Sequence, residues 1–178
     1  MKTLTLLRHA KSAWDDPVER DFDRPLNGKG RRAAARIGRY LRDEAVAFDK
    51  VIASPALRVL ETIEGVEAGY GQRLPTEHDK RIYMASAATL LDVVRGTADD
   101  LERLMMVGHN PGLEDLVLLL VPESAGGARD DVEMKYPTAT IAELSFEGTW
   151  ADLDERMAAL TRFVRPRDLD PSLGPDAA

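Results

Sequence analysis

Short apolar runs alternate with longer segments of helical periodicity along most of the chain, and this alternation restricts the fold more than any other feature. Thr3–Leu7, Lys50–Ala53 and Leu104–Val107 are runs of four or five mainly apolar residues, the pattern of strands buried on both faces. Thr138–Phe146 alternates and predicts a further strand, and Leu74–Tyr83 is expected to contain one. Met157–Val164 fits helix and strand equally. Between them, Gly30–Asp43 places Ala34, Ile37, Gly38 and Leu41 near helical spacing. Ser54-Pro55 and Asn110-Pro111 each read as an N-cap followed by a proline at the first helical position, opening helices to about Ala68 and Leu120. Ala87–Thr97 reads as another helix. Such β/α alternation predicts an α/β sandwich around a mainly parallel sheet.

The 178 residues suit one domain, expected over residues 1–168. The tail, 169–178, carries Pro and Asp with few core formers and predicts disorder. Residues 122–137, PESAGGARDDVEMKYP, read as a long loop. With 24 Lys and Arg against 31 Asp and Glu, the formal net charge is −7. That balance argues against nucleic acid and against an anionic membrane surface as partners. There is no cysteine, which excludes disulfides, thiolate catalysis and Cys-ligated zinc. The longest apolar run, LEDLVLLLV, is too short to span a bilayer. The N-terminal segment reaches Arg8-His9 before any small-residue cleavage site, so a cytoplasmic protein is expected. Nothing suggests a coiled coil or a surplus apolar face, so a monomer is expected.

The chain has three histidines, His9, His78 and His109. His9 and His109 directly follow two strand candidates, in LTLLRH and LMMVGH, and ligands of open α/β sheets bind beyond the carboxyl ends of strands. A lone histidine there is most simply a satisfied structural residue; a pair with arginine beside it points to a site. Arg8 adjoins His9, and Arg58 lies in the helix opened by Ser54-Pro55. Guanidinium forks match phosphate oxygens, and a helix start near Asn110 offers N–H groups to an anion. Two arginines, two histidines and a helix N-terminus describe a phosphate pocket in which an imidazole can act as nucleophile. Cations beside the histidines would repel a divalent ion and no carboxylate is spaced as a co-ligand, so neither metal nor cofactor is expected.

Four segments carry a resemblance to a known family. LLRHAKSAW, RPLNGKGRRAA, IASPALRVLET and MMVGHN, in this order, resemble the four motifs of the histidine phosphatase, or phosphoglycerate mutase-like, superfamily. The resemblance covers roughly residues 2–168 and implies a three-layer sandwich, a mixed, mostly parallel sheet with helices on both faces. It implies that His9 accepts the phosphoryl group and that Arg8, Arg58 and His109 bind it. Lys11, Ser12 and Asn110 are placed to touch substrate.

The departures are informative. Ala10 and Lys11 replace the family's Gly and Glu, and Glu61-Thr62 replaces Gln-Thr. Where the family carries a glutamate that protonates the leaving group, DKRIYM places Met84, which cannot donate a proton. An alkoxide, with a conjugate acid near water's pKa of about 15.7, needs that proton. A protonated phosphohistidine ring can leave as neutral imidazole, whose conjugate acid has a pKa of about 6.5. The short chain, Tyr83-Met84-Ala85 and YPTAT resemble the small bacterial phosphohistidine phosphatases. The implied substrate is a phosphorylated protein, such as a histidine phosphotransfer domain.

Two readings compete. One is a small-molecule or broad-range phosphomonoesterase acting on a phosphorylated metabolite, with Asp15, Asp16, Asp21, Asp23, Glu77 or Asp79 as acid. The other is a non-catalytic phospho-binding module. His78 reads as a surface histidine, Asn27-Gly28-Lys29-Gly30 as a turn and helix start, and Trp14 and Trp150 as packing residues rather than stacking platforms. Protonation of His9 is expected to make activity vary between pH 5 and 8.

Overall fold

The computed structural model describes residues 1–14 and 20–175. Six strands form one sheet: β1 (Lys2–Arg8), β2 (Lys50–Ala53), β3 (Thr76–His78), β4 (Arg103–Gly108), β5 (Ile141–Phe146) and β6 (Ala159–Val164), in the order β3-β2-β4-β1-β5-β6. The first four in that order run parallel, and β5 lies antiparallel to β1 and to β6. Because β1 and β4 lie inside the sheet and are covered on both faces, alternate residues serve different cores. Leu4, Leu6, Leu104 and Met106 face one, and Leu7, Met105 and Val107 the other. This explains why both strands read as unbroken apolar runs.

Helices α1 (Gly28–Asp43) and α2 (Leu57–Tyr70) cover one face. Helices α3 (Ala87–Arg95), α4 (Gly112–Leu120) and α5 (Gly127–Met134) cover the other, while the short α6 (Pro166–Leu169) contacts α1. The result is the expected three-layer, mixed and mostly parallel α/β sandwich of phosphoglycerate mutase-like form. Asn27 caps α1, its Oδ1 accepting the Gly30 N–H at 2.8 Å. Helices α1 and α2 approach so closely that a Cβ at Gly69 would lie 2.0 Å from the Ala35 carbonyl oxygen. A Cβ at Gly30 would lie 2.2 Å from the Lys11 carbonyl oxygen, so α1 begins directly against the segment after His9.

Several expectations need correction. The loop over 122–137 contains a 3-10 turn, Glu123–Ala125, and α5. Its Gly126-Gly127 pair, both at positive φ, starts that helix instead of breaking one. Val132 enters the core, and Arg129 donates to the Val121 and Leu118 carbonyls at the end of α4, at 3.0 and 3.1 Å. The ambiguous stretch is a strand, β6. Strand β5 starts at Ile141 rather than Thr138, because Ala139 takes φ 57° and turns its N–H to the Arg8 and His9 carbonyls, each at 3.0 Å. In the tail, α6 is followed by a 3-10 turn, Pro171–Leu173, and Lys29 Nζ donates to the Gly174 carbonyl, so residues 169–175 follow a defined course along α1. Residues 176–178 lie outside the described residues.

Candidate active site

Parallel pairing of β1 with β4 sets Arg8 opposite Gly108, so the residues just beyond, His9 and His109, stand side by side. Their ring centroids are 5.4 Å apart, and the His9 N–H bonds the Gly108 carbonyl at 3.0 Å. Strand β2 flanks β4, and Arg58, the second residue of α2, reaches the same point. The Arg58 guanidinium is 2 % exposed, and its Nη2 donates to His109 Nδ1 at 3.3 Å. The sequence-predicted quartet Arg8, His9, Arg58 and His109 thus converges.

The hydrogen bonds define the imidazoles. His9 Nδ1 lies 2.7 Å from the Ala10 carbonyl oxygen, which can only accept. Nδ1 therefore carries the proton and Nε2 presents a lone pair. His109 accepts from Arg58 on Nδ1 and donates from Nε2 to Ser54 Oγ at 2.8 Å. Burial pushes the His9 pKa down to about 3, with the charges of Arg58 and Arg8 and the ring of His109 adding to it. Burial and Arg58 push His109 down to about 4. Both rings are neutral throughout pH 5–8, so the activity change expected there moves to lower pH.

A cleft of about 680 Å³ opens over the quartet. Lys11, Arg24, Lys29, Lys135, Arg165 and Arg167 line it besides Arg8 and Arg58. Asp21 is the only carboxylate lining it among the described residues. On a chain of net charge −7, this is a concentrated positive field suited to an anion. Arg8 Nε and Arg58 Nε are buried without a hydrogen-bond partner among the described residues.

Asp21 bridges three side chains of the site. Its Oδ2 accepts from Arg58 Nη2 at 2.9 Å and from the Tyr83 hydroxyl at 2.7 Å, while Oδ1 accepts from Arg24. Partial burial opposes ionisation, but these hydrogen bonds and the charge of Arg58 hold its pKa down at about 2. Asp21 is therefore ionised at neutral pH and is not a proton donor there. Of the other acid candidates, Asp23 pairs with Arg20, Glu77 with Lys50 and Asp79 with Arg81, none lining the cleft. Asp15 and Asp16 lie outside the described residues. Met84 lines the cleft, its Sδ 3.8 Å from Arg58 Nη2.

Lys11 and Ser12 also line the cleft, and Ser12 is buried and bridges to Leu26. Asn110 lines it too, but its amide is committed: Nδ2 donates to the Tyr136 carbonyl at 3.0 Å, and Oδ1 accepts from the Glu114 N–H at 3.2 Å. The expected helix-start anion site needs revision. Helix α4 begins at Gly112, and the N–H groups of Leu113 and Asp115 bond the His109 and Pro111 carbonyls. Helix α2 likewise begins at Leu57, not beside Ser54, whose hydroxyl serves His109 instead.

Trp14 is not a packing residue. It is 81 % exposed with the Arg24 guanidinium stacked 3.6 Å from its ring centroid, whereas Trp150 is fully buried. His78 is exposed, as expected. Sequence reasoning missed Arg24, Ser54 and Tyr83 as parts of the site. The available signal was that each stands in a quoted segment, Arg24 in RPLNGKG, Ser54 in IASPALRVLET and Tyr83 in DKRIYM. Among the described residues no cluster of three or more His, Asp or Glu is placed to hold a metal ion, and no helix is long and apolar enough to cross a membrane.

Residues 4–83 match the histidine phosphatase superfamily (branch 1). The chain is 36% identical over 163 residues to the uncharacterized protein Rv1276c of Mycobacterium tuberculosis, covering 90% of this chain and 100% of that protein. A solved structure from Nakamurella multipartitia, of a protein described as a candidate phosphohistidine phosphatase SixA, superposes with a TM-score of 0.80 at 30% identity, over 93% of this chain and 96% of that one. Its Agrobacterium tumefaciens counterpart gives 0.78 at 28%, over 93% and 98%. By its paired strand-end histidines, its cleft arginines and these matches, the chain belongs to the histidine phosphatase superfamily, in its SixA-like branch.

Proposed function

We propose that this protein is a cytoplasmic phosphohistidine phosphatase, working without a cofactor, that removes the phosphoryl group from phosphohistidine in a protein through a covalent phospho-His9 intermediate. One observation carries the reading: His9 presents a neutral Nε2 beside the Nε donors of Arg8 and Arg58, which have no partner among the described residues, and Asp21, the only carboxylate lining the cleft among those residues, is held ionised. The Nε2 lone pair attacks phosphorus while the bond from phosphorus to the substrate's ring nitrogen breaks. With its other nitrogen protonated, that ring departs as neutral imidazole and needs no acid. Arg8 and Arg58 hold the phosphoryl oxygens, and His109 braces Arg58 from behind. Water then attacks the phosphorus on His9, releasing phosphate and regenerating the imidazole.

The alternative, a phosphomonoesterase using an aspartate as acid, is disfavoured at Asp21, which is held ionised by Tyr83, Arg24 and Arg58. A purely binding module has no use for a nucleophile with a free lone pair. Phosphate release from a phosphohistidine protein, a phosphoserine peptide and a sugar phosphate tests the reading, with His9→Ala as control. Preference for phosphohistidine, abolished in the variant, is the expected result. Equal turnover of the alkyl phosphates overturns it.

A further inference from the structure

Among the described residues, three guanidinium nitrogens of cleft-lining arginines are buried without a hydrogen-bond partner: Arg8 Nε, Arg58 Nε and Arg24 Nη1. The first two belong to the phosphoryl pocket. The third has no role there, yet Arg24 is 8 % exposed and held by two side-chain contacts. Its guanidinium stacks on Trp14, its Nη2 donates to Asp21, and its backbone N–H bonds the Asp21 carbonyl at 3.1 Å. The next residue is tied down too, the Pro25 carbonyl accepting from the Ala13 N–H at 2.9 Å. A buried charged donor left unpaired costs free energy, and a side chain this well held cannot swing into solvent to recover it.

We propose that Arg24, braced by Trp14, forms a second anion subsite beside the phosphoryl pocket, which takes a second anionic group of the substrate, a carboxylate or a phosphate. The proposal rests on the reading of the His9 pocket as a phosphoryl site. The Asp21 carboxylate sets the spacing, because one oxygen sits on Arg24 and the other on Arg58. A single small anion spans both guanidiniums, so the second group adjoins the phosphoryl group. In a phosphoprotein it would be an acidic side chain flanking the phosphohistidine; in a small metabolite it would be a neighbouring phosphate.

In a His9→Ala background, which removes turnover through His9, calorimetric binding of inorganic pyrophosphate and inorganic phosphate reads the subsite. With Arg24 intact the protein should prefer pyrophosphate by at least about tenfold, the usual effect of one further charge-assisted contact. Arg24→Gln should collapse that ratio toward one. Trp14→Leu, at an exposed position that leaves the core intact, should lower it in the same direction. A ratio near one with Arg24 intact, or a ratio unchanged by both substitutions, overturns the proposal. Phosphohistidine peptides with Asp or Asn next to the modified residue, and mono- against bisphosphorylated small esters as competitors, then separate the sources. A preference in the first pair identifies a protein carboxylate, one in the second a metabolite phosphate, and no preference in either overturns the proposal. Failure to release phosphate from any peptide, with the pyrophosphate ratio intact, removes the phosphohistidine reading and leaves the subsite standing.

Discussion

Asp21 Oδ2 lies 2.9 Å from Nη2 of Arg58, and the Asp21 carbonyl oxygen lies 2.9 Å from Nη1, so one residue occupies both tips of the fork. A phosphoryl group entering the cleft meets a carboxylate already in possession of the arginine it needs. Asp21→Asn removes the competing charge. Inorganic phosphate should then inhibit more strongly, with a competitive Ki roughly tenfold lower, given the strength of a close ion pair at a partly screened site. A weaker inhibition constant would mean that Asp21 is required to aim Arg58.

Met84 sits beside Arg58, at the position to which the family resemblance assigns a leaving-group acid. Met84→Glu should raise kcat/KM on a phosphoserine peptide by about 10²-fold or more, within the range of general acid catalysis. Turnover of phosphohistidine should change far less, because its leaving group needs no proton. An unchanged phosphoserine rate would show that position 84 does not face the leaving group.

The free enzyme should show a flat kcat/KM between pH 5 and 8 as far as His9 is concerned. Activity should fall only as pH approaches about 3, where Nε2 takes a proton and loses its lone pair. A midpoint near the ordinary imidazole value of about 6.5 would mean that His9 is hydrated rather than buried.

The same burial predicts acid sensitivity of the fold. His9 and His109 titrate at about 3 and about 4 in the folded chain, and near 6.5 when unfolded, so the unfolded chain binds more protons between those values. Stability is intact above the unfolded value and falls as the pH drops through this window, by up to about 1.4 kcal/mol per pH unit for each ring. Asp21, held at about 2, adds its loss only below its own ordinary value of 3.8. Thermal unfolding followed from pH 7 to 4 should show this decline, and His9→Asn should make it shallower.

Gly69→Ala should destabilise the fold by about 1–3 kcal/mol, since the new methyl overlaps the Ala35 carbonyl and helices α1 and α2 must separate. Urea unfolding of the variant measures it.

The sequence made β1, β4 and their terminal histidines legible because a strand buried on both faces leaves an uninterrupted apolar run that ends where the polar site begins. Helix α5 was hidden because its Gly126-Gly127 pair and charges read as loop, and only Val132 and Arg129 face inward. Asp21, Arg24 and Trp14 were misjudged for another reason. Asp21 lies in a charged stretch and meets Arg58, 37 positions away, only through the fold. Trp14 stands largely in solvent with Arg24 stacked on one face, a contact no local pattern announces.

The pairing of Arg8 with Gly108 has an evolutionary consequence. The proposed nucleophile, His9, and its partner His109 each follow the last paired residue of two adjacent strands, so their separation is set by backbone spacing. The groups that would judge a substrate come from turns and from the C-terminal segment. Selection can therefore rewrite what the cleft accepts while the reactive centre keeps its dimensions.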